Sequence, residues 1–132
     1  MQVQPYLFYN GRCDEAIEFY RAAVGAEVTM LVRFQDCPEP TAHGTPDKVM
    51  HASLRIGDTT VLVSDGRCDG APVFQGFALS LTVADDAQAE RLFAALSDGG
   101  AVQMPPAKTF FSPKFGMLVD RFGVMWMVYV AG

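Results

Sequence analysis

His51 is the residue whose type and surroundings point most directly to chemistry. It lies in the run from Lys48 to Ile56, which predicts a strand, and strand alternation sorts this run into two faces. The more apolar face, which is expected to face the helices, contains Met50, Ala52, Leu54 and Ile56. The other face contains Val49, His51, Ser53 and Arg55. Because an imidazole titrates near neutral pH, His51 is predicted to act as a general base or to hydrogen-bond a ligand. The alternative is a satisfied structural histidine.

Other candidate ligand contacts lie at the end of the same strand and near the C-terminus. Arg55 would bind a ligand carboxylate or phosphate with two N–H groups, unless its place at the strand end leaves it in solvent. In the last apolar run, strand alternation points Trp126 toward the helices. It points three other side chains toward the expected ligand hollow, namely Met125, Met127 and Tyr129. The loop from Lys108 to Lys114 is predicted to close over an apolar ligand with Phe110, Phe111 and Ser112. For the methionines and phenylalanines, the alternative is a dimer interface.

Other catalytic signatures are missing from the sequence. The three cysteines, Cys13, Cys37 and Cys68, form no CxxC pair and fit reduced thiols. Cys13, near a helix start, is either a nucleophile or a small apolar residue. No P-loop, Gly-x-Ser-x-Gly elbow or paired-carboxylate arrangement is present. Gly99-Gly100 follows a helix and precedes a strand, the reverse of the order that a Gly-rich cofactor turn requires.

An internal repeat predicts the elements that position these side chains. EAIEFYRAAVGAEV at residues 15–28 and AERLFAALSDGGAV at 89–102 each indicate a helix, a terminating glycine and the start of a strand. At a constant offset Phe19 matches Phe93, Gly25 matches Gly99 and Val28 matches Val102. Both units then continue into a strand, a glycine and another strand. The chain is therefore predicted to be one βαβββ module written twice.

Turn residues and hydrophobic periodicity set the expected element boundaries. In the first module strands are predicted over 3–9, 27–34, 48–56 and 59–64, with the helix after Asn10-Gly11 ending at Gly25. In the second they are predicted over 77–83, 101–104, 115–119 and 124–130, and Asp85 with Gln88 indicates a capping box at the helix start. Gln35 to Asp47 is predicted to be a long loop, either a lid or a tolerated insertion.

Composition fits one compact domain and limits the partners. The chain has 132 residues, 50% of them hydrophobic, and a formal net charge of −5 with scattered Lys and Arg. This balance argues against nucleic acid and against an anionic membrane as the main partner. No signal sequence or membrane-span pattern occurs, so a cytoplasmic location is predicted. Because each module's helix covers only one face of its strands, two modules are expected to pair, within a chain or across a dimer, around a central hollow suited to a ligand.

Several motifs in order resemble the PhnB-like branch of the vicinal oxygen chelate superfamily. They are PYLFYNGRCDEAIEFY at residues 5–20, KVMHASLRIGD at 48–58, SDG at 64–66, KTFFSPKFGM at 108–117 and DRFGVMW at 120–126. The branch is often labelled a 3-demethylubiquinone 3-methyltransferase-like domain. The resemblance implies an α+β fold whose two βαβββ modules form a curved mixed sheet, the glyoxalase/bleomycin-resistance fold. It implies a single domain over 1–132, with modules of about 1–66 and 74–132.

The resemblance also raises the question of a metal, because the superfamily's enzymes hold a divalent ion with His, Gln or Glu on particular strands. Those positions fall near Pro5, near Gly76 or Phe77, and near Met127, and none of these residues suits such a cation. Tyr6 or Gln75 would enter with a one-residue shift, but an isolated phenol or amide is a poor anchor. The sequence therefore predicts no metal and no cofactor.

Three functions remain open at this stage. The leading hypothesis is a metal-independent PhnB-like protein, expected to form a homodimer, that binds a small, partly apolar molecule in the hollow. On this hypothesis His51→Ala or Tyr129→Phe weakens ligand binding without unfolding the chain. The second is a metal-dependent lyase or dioxygenase with its ligands in another register. The third is a drug-sequestering resistance protein that leaves its ligand intact. The sequence does not choose between a catalytic and a binding role.

Overall fold

The computed structural model describes residues 1–37, 46–66 and 70–132. The chain divides into two compact units, Met1–Pro72 and Val73–Gly132, each with one helix and one four-stranded sheet. Most of the predicted lid or insertion lies outside the described residues, as does Cys68. Across the described ranges, no helix is both long and apolar enough to span a bilayer.

The first unit is a βαβββ module. Its elements are β1 (Tyr6–Phe8), α1 (Cys13–Val24), β2 (Glu27–Arg33), a short 3₁₀ turn (Phe34–Asp36), β3 (Val49–Ile56) and β4 (Thr59–Ser64). The sheet order is β1-β4-β3-β2, with β1 parallel to β4 and the other pairs antiparallel. The predicted hairpin at Gly57-Asp58 joins β3 to β4. Gly25, in the left-handed conformation at φ 69°, ends α1 as predicted.

The second unit repeats the first. Its elements are β5 (Leu79–Val83), α2 (Asp86–Ser97), β6 (Ala101–Ala107), β7 (Phe115–Val119) and β8 (Met125–Val130). The sheet order is β5-β8-β7-β6, which reproduces the first order strand for strand. The predicted cap is present, because the Asp85 carboxylate accepts the Gln88 amide proton at 2.8 Å. The predicted repeat and the α+β fold class are therefore confirmed, with one mixed sheet in each unit.

Each sheet buries one face under its own helix. In the first unit α1 packs against β3, and its buried side chains are Cys13, Ala16, Ile17, Tyr20 and Ala23. In the second, α2 packs against β6, β7 and β8 through Ala89, Phe93 and Leu96. Trp126 lies in this core, as predicted, and is 2% exposed. Burial of Cys13 removes the accessible thiol that a nucleophile requires.

Two local predictions were wrong for identifiable reasons. Val49 is fully buried and Met50 is partly exposed, which is the opposite of the predicted alternation. The reason is a bulge in β3: the pairing with β2 passes from Val32↔His51 to Arg33↔Val49, so Met50 has no partner in the register. Strand β6 also runs through Pro105 and Pro106 to Ala107, whereas the predicted strand ended at Met104. This strand is the edge of its sheet, where a proline costs no ladder hydrogen bond.

A buried carboxylate from the end of β4 caps α1. Asp65 is fully buried, and its Oδ1 accepts the backbone protons of Gly11 at 2.7 Å and Cys13 at 2.8 Å. Its Oδ2 accepts the Val49 amide proton at 2.9 Å. Asn10-Gly11 supplies the turn before α1, with positive φ at both residues. Asp65 therefore fixes the start of α1, the start of β3 and the end of β4 together.

A second buried carboxylate organises the turn between β7 and β8. Asp120 Oδ1 accepts the amide protons of Phe122 at 2.9 Å and Val124 at 3.1 Å, and its Oδ2 accepts the Trp126 indole proton at 2.9 Å. The carboxylate thus links the turn to the largest side chain of the α2-facing core.

Candidate functional site

The face of the first sheet that α1 does not cover carries the candidate polar residues. We call it the first open face, and its members around His51 are Tyr6 and Phe8 from β1, Leu62 and Ser64 from β4, and Val32 from β2. Tyr6 is 39% exposed and Phe8 50%, whereas Leu7 between them is buried in the core. His51 lies on this face, as its predicted alternation required.

A direct contact joins Tyr6 to His51 across the sheet. The Tyr6 hydroxyl lies 2.8 Å from His51 Nδ1, and the two ring centroids are 5.5 Å apart. Tyr6 also stacks on Phe8, with centroids 4.9 Å apart and an interplanar angle of 21°. The result is an aromatic surface with one imidazole at its side.

Tyr6 is held in its neutral form. Burial raises the pKa of the Tyr6 phenol above its ordinary value, and a side-chain hydrogen bond with Ser64 offsets part of that rise. A phenol with a raised pKa keeps its proton throughout the physiological range, so Tyr6 is available as a hydrogen-bond donor at His51. The contact is therefore made by the neutral phenol rather than by a phenolate.

Arg55 shares this face but does not join the Tyr6–His51 contact. Arg55 lies four positions after His51 along β3, about 13 Å away in an extended strand. Its guanidinium binds Glu27 of β2 at 2.6 Å, and both side chains are exposed. A ligand anion would have to displace the Glu27 carboxylate, so Arg55 is a poor anchor for a ligand on this face.

The corresponding face of the second sheet is apolar and aromatic. We call it the second open face, and its partly exposed residues are Phe115 and Met117 from β7 and Met125, Met127 and Tyr129 from β8. Phe111 packs on Phe115 with ring centroids 5.0 Å apart, and Phe115 lies 6.2 Å from Tyr129. Met127 and Tyr129 thus lie on the side opposite the core, where the alternation put them.

The loop residues divide into two kinds. Phe110 is fully exposed, and Phe111 is partly exposed above Phe115. Ser112, by contrast, is 3% exposed, and its hydroxyl lies within hydrogen-bonding distance of the carbonyl oxygens of Lys114 and Val130. Ser112 therefore holds the loop to the end of β8, and the structure gives no support to its predicted role as a ligand contact.

Whether the open faces can hold the superfamily's divalent metal depends on the donors that they carry. On β1 the residues of the open face are Tyr6 and Phe8 rather than Pro5, and on β5 they are Ser80 and Thr82, because β5 begins only at Leu79. Gly76 and Phe77, at which the equivalent position was expected, both precede this strand. Within the described part of the chain, no three His, Cys, Asp or Glu side chains come together as a metal site would need.

His51 with Tyr6 supplies one imidazole and one neutral phenol, and the Glu27 carboxylate, which lies opposite Arg55 on the same face, is engaged by Arg55. This donor set does not fit a divalent cation.

Comparison with known proteins identifies the family. Residues 1–129 match the profile of the family described as 3-demethylubiquinone-9 3-methyltransferase. The chain belongs to this PhnB-like family. Protein YjdN of Escherichia coli K12 is 31% identical over 140 residues, which cover 98% of this chain and 95% of YjdN. The crystal structure of protein PA1353 from Pseudomonas aeruginosa is 42% identical, with a TM-score of 0.87 and coverage of 99% of this chain and 98% of its own.

Two further structures extend the PhnB-like comparison. The putative 3-demethylubiquinone-9 3-methyltransferase, PhnB protein, from Bacillus cereus is 26% identical, with a TM-score of 0.84 and coverage of 99% and 100%. A glyoxylase/bleomycin resistance protein/dioxygenase domain from Frankia sp. EAN1pec is 14% identical, with a TM-score of 0.68 and coverage of 99% and 95%. The latter likeness shows the fold alone, and it is the glyoxalase fold that the motifs implied.

The Tyr6–His51 pair was not predicted from the sequence, although both residues were considered. Tyr6 entered only as a shifted and isolated metal ligand, and His51 as a lone strand histidine. The pairing of β1 with β4, parallel and in the register Tyr6↔Leu62, brings the two together across β4. Strand order was the missing information, because β1 and β3 are far apart in sequence and are joined only through β4.

Proposed function

We propose that this PhnB-like protein binds a small, partly apolar molecule on the first open face, without a metal, and that Tyr6 and His51 are the polar anchor of that site. The observation that carries the proposal is the 2.8 Å contact between Tyr6 and His51 beside the stacked Tyr6–Phe8 pair. Ligand sites typically combine apolar surface with a few convergent polar groups, and this face has that composition.

Exposed aromatic side chains support an apolar ligand. Phe8 is 50% exposed on a strand whose next residue, Tyr9, is fully buried, so the exposure belongs to this face rather than to a loose chain end. An aromatic ring laid on Phe8 and Tyr6 would remove apolar area from water and stack in an offset or edge-to-face arrangement. His51 would then bind whatever polar atom the ring carries.

The helix N-termini do not offer an alternative anion site. Asp65 already accepts the Gly11 and Cys13 amide protons at the start of α1, and Asp85 caps α2. Backbone amides that bind an internal carboxylate are not available for a phosphate. The two sheets also lack the doubly wound parallel arrangement used for nucleotide cofactors. Methyl transfer, which the family description names, therefore gains no support from the described residues.

The second open face is also apolar, and its role stays a prediction. Met127, Tyr129, Phe110 and Phe111 are proposed as ligand contacts because thioethers and aromatic rings adapt to flat apolar molecules. The alternative remains that these residues form a homodimer interface. A cytoplasmic location likewise stays a prediction of the sequence.

Titration with 6-propionyl-2-(dimethylamino)naphthalene, a neutral aromatic ketone whose fluorescence reports its surroundings, tests the proposed site. We expect saturable, blue-shifted fluorescence with EDTA present, and a loss of affinity of about tenfold in His51→Ala, because both a hydrogen bond and ring contacts are removed. Tyr129→Phe in the same titration reports on the second open face. Asp58→Ala, in the exposed β3–β4 turn, is the matched control and should bind as the wild type does. Equal affinity in His51→Ala and the wild type would contradict the proposal.

Native mass spectrometry tests the metalloenzyme alternative. After incubation with Mn²⁺, Fe²⁺ or Zn²⁺ and desalting, we expect no stoichiometric ion on the chain, because the described residues of the open faces do not bring together the donors to hold one. One bound ion per chain that disappears in His51→Ala would favour a lyase or dioxygenase instead.

A further inference from the structure

We propose that Cys37 and Met50 form a binding site for a soft monovalent cation, Cu(I) or Ag(I), which one thiolate and one thioether hold between them. The Cys37 Sγ lies 2.8 Å from the Met50 Sδ, and both side chains are half-buried. Neither sulfur takes part in the Tyr6–His51 contact of the first open face. This site goes beyond the proposed function and does not depend on it.

The bulge in β3 explains why Met50 reaches Cys37. Met50 has no partner on β2, although both of its neighbours in β3 are paired there. A bulge gives a side chain a direction that the regular pleat would not, and bulges are common beside functional sites. The thioether of Met50 is therefore free of the alternation that sorts the rest of β3 into two faces, and it contacts the thiol instead.

Backbone hydrogen bonds hold the two sulfur-bearing segments together without using either sulfur. The Phe34 N–H donates to the Lys48 carbonyl at 3.1 Å, and the Gln35 N–H donates to the Pro46 carbonyl at 2.9 Å. Both bonds tie the 3₁₀ turn before Cys37 to the chain that leads into β3. The Cys37 N–H in turn donates to the Phe34 carbonyl at 3.2 Å. The sulfurs can therefore adjust around an ion while the backbone that carries them stays in place.

A cation would replace the proton that the two sulfurs share. The Cys37 thiol donates to the Met50 thioether, and the Arg33 carbonyl oxygen, at 3.9 Å, is the more distant acceptor. On binding, the S–H bond of Cys37 breaks, a sulfur–metal bond forms, the Met50 sulfur becomes the second ligand and one H⁺ is released to water. No electron is transferred. The two sulfurs must move apart to admit the ion, and the unbranched, flexible side chain of Met50 permits this.

The donor pair suits a soft monovalent ion and not a divalent one. Thiolate and thioether are soft ligands of the kind that select Cu(I). Structural Zn²⁺ instead takes a closed tetrahedral set of ligands, and the described residues bring no three His, Cys, Asp or Glu side chains together for one. The sulfur pair is therefore compatible with the expected lack of a divalent ion on the open faces.

Titration of the full chain with silver nitrate tests the site, with ¹H–¹³C spectra of protein labelled at its methionine methyl groups as the readout. Cys68→Ser removes a competing thiol, and Cys13 is fully buried. In that variant we expect the Met50 methyl signal, assigned by its absence in Met50→Leu, to shift and to saturate at one Ag⁺ per chain. The methyl signal of Met30, which is 51% exposed, is the internal control and should not shift.

Further additions and a further variant make the test specific. Cu(I) added without oxygen should also shift the Met50 methyl signal, and Zn²⁺ should not. Cys37→Ser should abolish both the shift and the bound ion seen by native mass spectrometry. A Met50 signal that stays unchanged, with or without Ag⁺ on Cys37, would overturn the two-sulfur site, as would a shift that persists in Cys37→Ser. Neither failure bears on ligand binding at Tyr6 and His51.

Discussion

An Asp65→Ala variant is expected to lose about 3–5 kcal/mol of unfolding free energy, because a fully buried carboxylate that accepts three backbone protons has no substitute in the core. The substitution would leave the amides of Gly11, Cys13 and Val49 buried or poorly solvated, and it would remove the cap from α1. Urea denaturation followed by circular dichroism measures the loss, as a lower midpoint with an unchanged slope.

Two variants separate this role from general loss of charge. Asp65→Asn keeps one acceptor oxygen, but its side-chain N–H would face a backbone N–H. Its loss of unfolding free energy should therefore be smaller than that of Asp65→Ala, but still measurable. Asp58→Ala, in the exposed turn, removes a carboxylate without a buried role and should change stability by less than about 0.5 kcal/mol. A midpoint for Asp65→Ala within error of the wild type would show that water or local rearrangement replaces the carboxylate.

Asp65 also positions the strands that carry the candidate ligand site. Asp65 directly follows Ser64, and it binds the Val49 amide two residues before His51. Its backbone N–H donates to the Val49 carbonyl at 2.9 Å, which closes the same end of the β3–β4 pair. Residues that position a site from the buried side are as necessary to its geometry as those that touch the ligand. Asp65 is such a positioning residue for the Tyr6–His51 contact.

Asp120→Ala is expected to lower the unfolding free energy by about 2–4 kcal/mol, because it leaves two turn amides and the Trp126 indole without their acceptor. Trp126 is almost fully buried, so the indole N–H cannot turn to water instead. Thermal unfolding and urea denaturation of the variant give the loss.

A double-mutant cycle apportions that loss. Trp126→Phe removes the indole donor and part of the ring, and the pair Asp120→Ala with Trp126→Phe should be less destabilised than the sum of the two single variants by about 1–2 kcal/mol. Additivity within error would mean that Asp120 acts on the turn alone and that the indole contact adds no stability.

The fold was largely predictable because its signals are local and repeated. Helix periodicity, Gly25 and the Asp85–Gln88 cap fixed the helices to within a residue or two. The repeat supplied the order of the elements twice, and the structure confirms it in two identical strand orders. The two wrong predictions also have physical reasons. No sequence pattern marked the bulge at Met50, and an edge strand tolerates Pro105 and Pro106, which would end a central one.

The site was predictable only as a face, not as a set of contacts. Alternation placed His51 on the open side of β3, and Met127 and Tyr129 on the open side of β8, because period-2 patterns survive without tertiary information. The Tyr6–His51 contact, the Asp65 cap and the buried role of Ser112 all depend on pairs of strands or loops distant in sequence. Such contacts follow from strand order, which a single sequence does not encode locally.

A ¹H–¹⁵N titration of the full chain with acetophenone, in buffer containing EDTA, tests most directly whether the first open face binds a ligand without a metal. We predict saturable shifts concentrated in the amides of β1, β3 and β4 and at the His51 ring, with little change in α1. Shifts that occur only after EDTA is replaced by a divalent metal, or that leave β1 and β3 unchanged, would contradict the account.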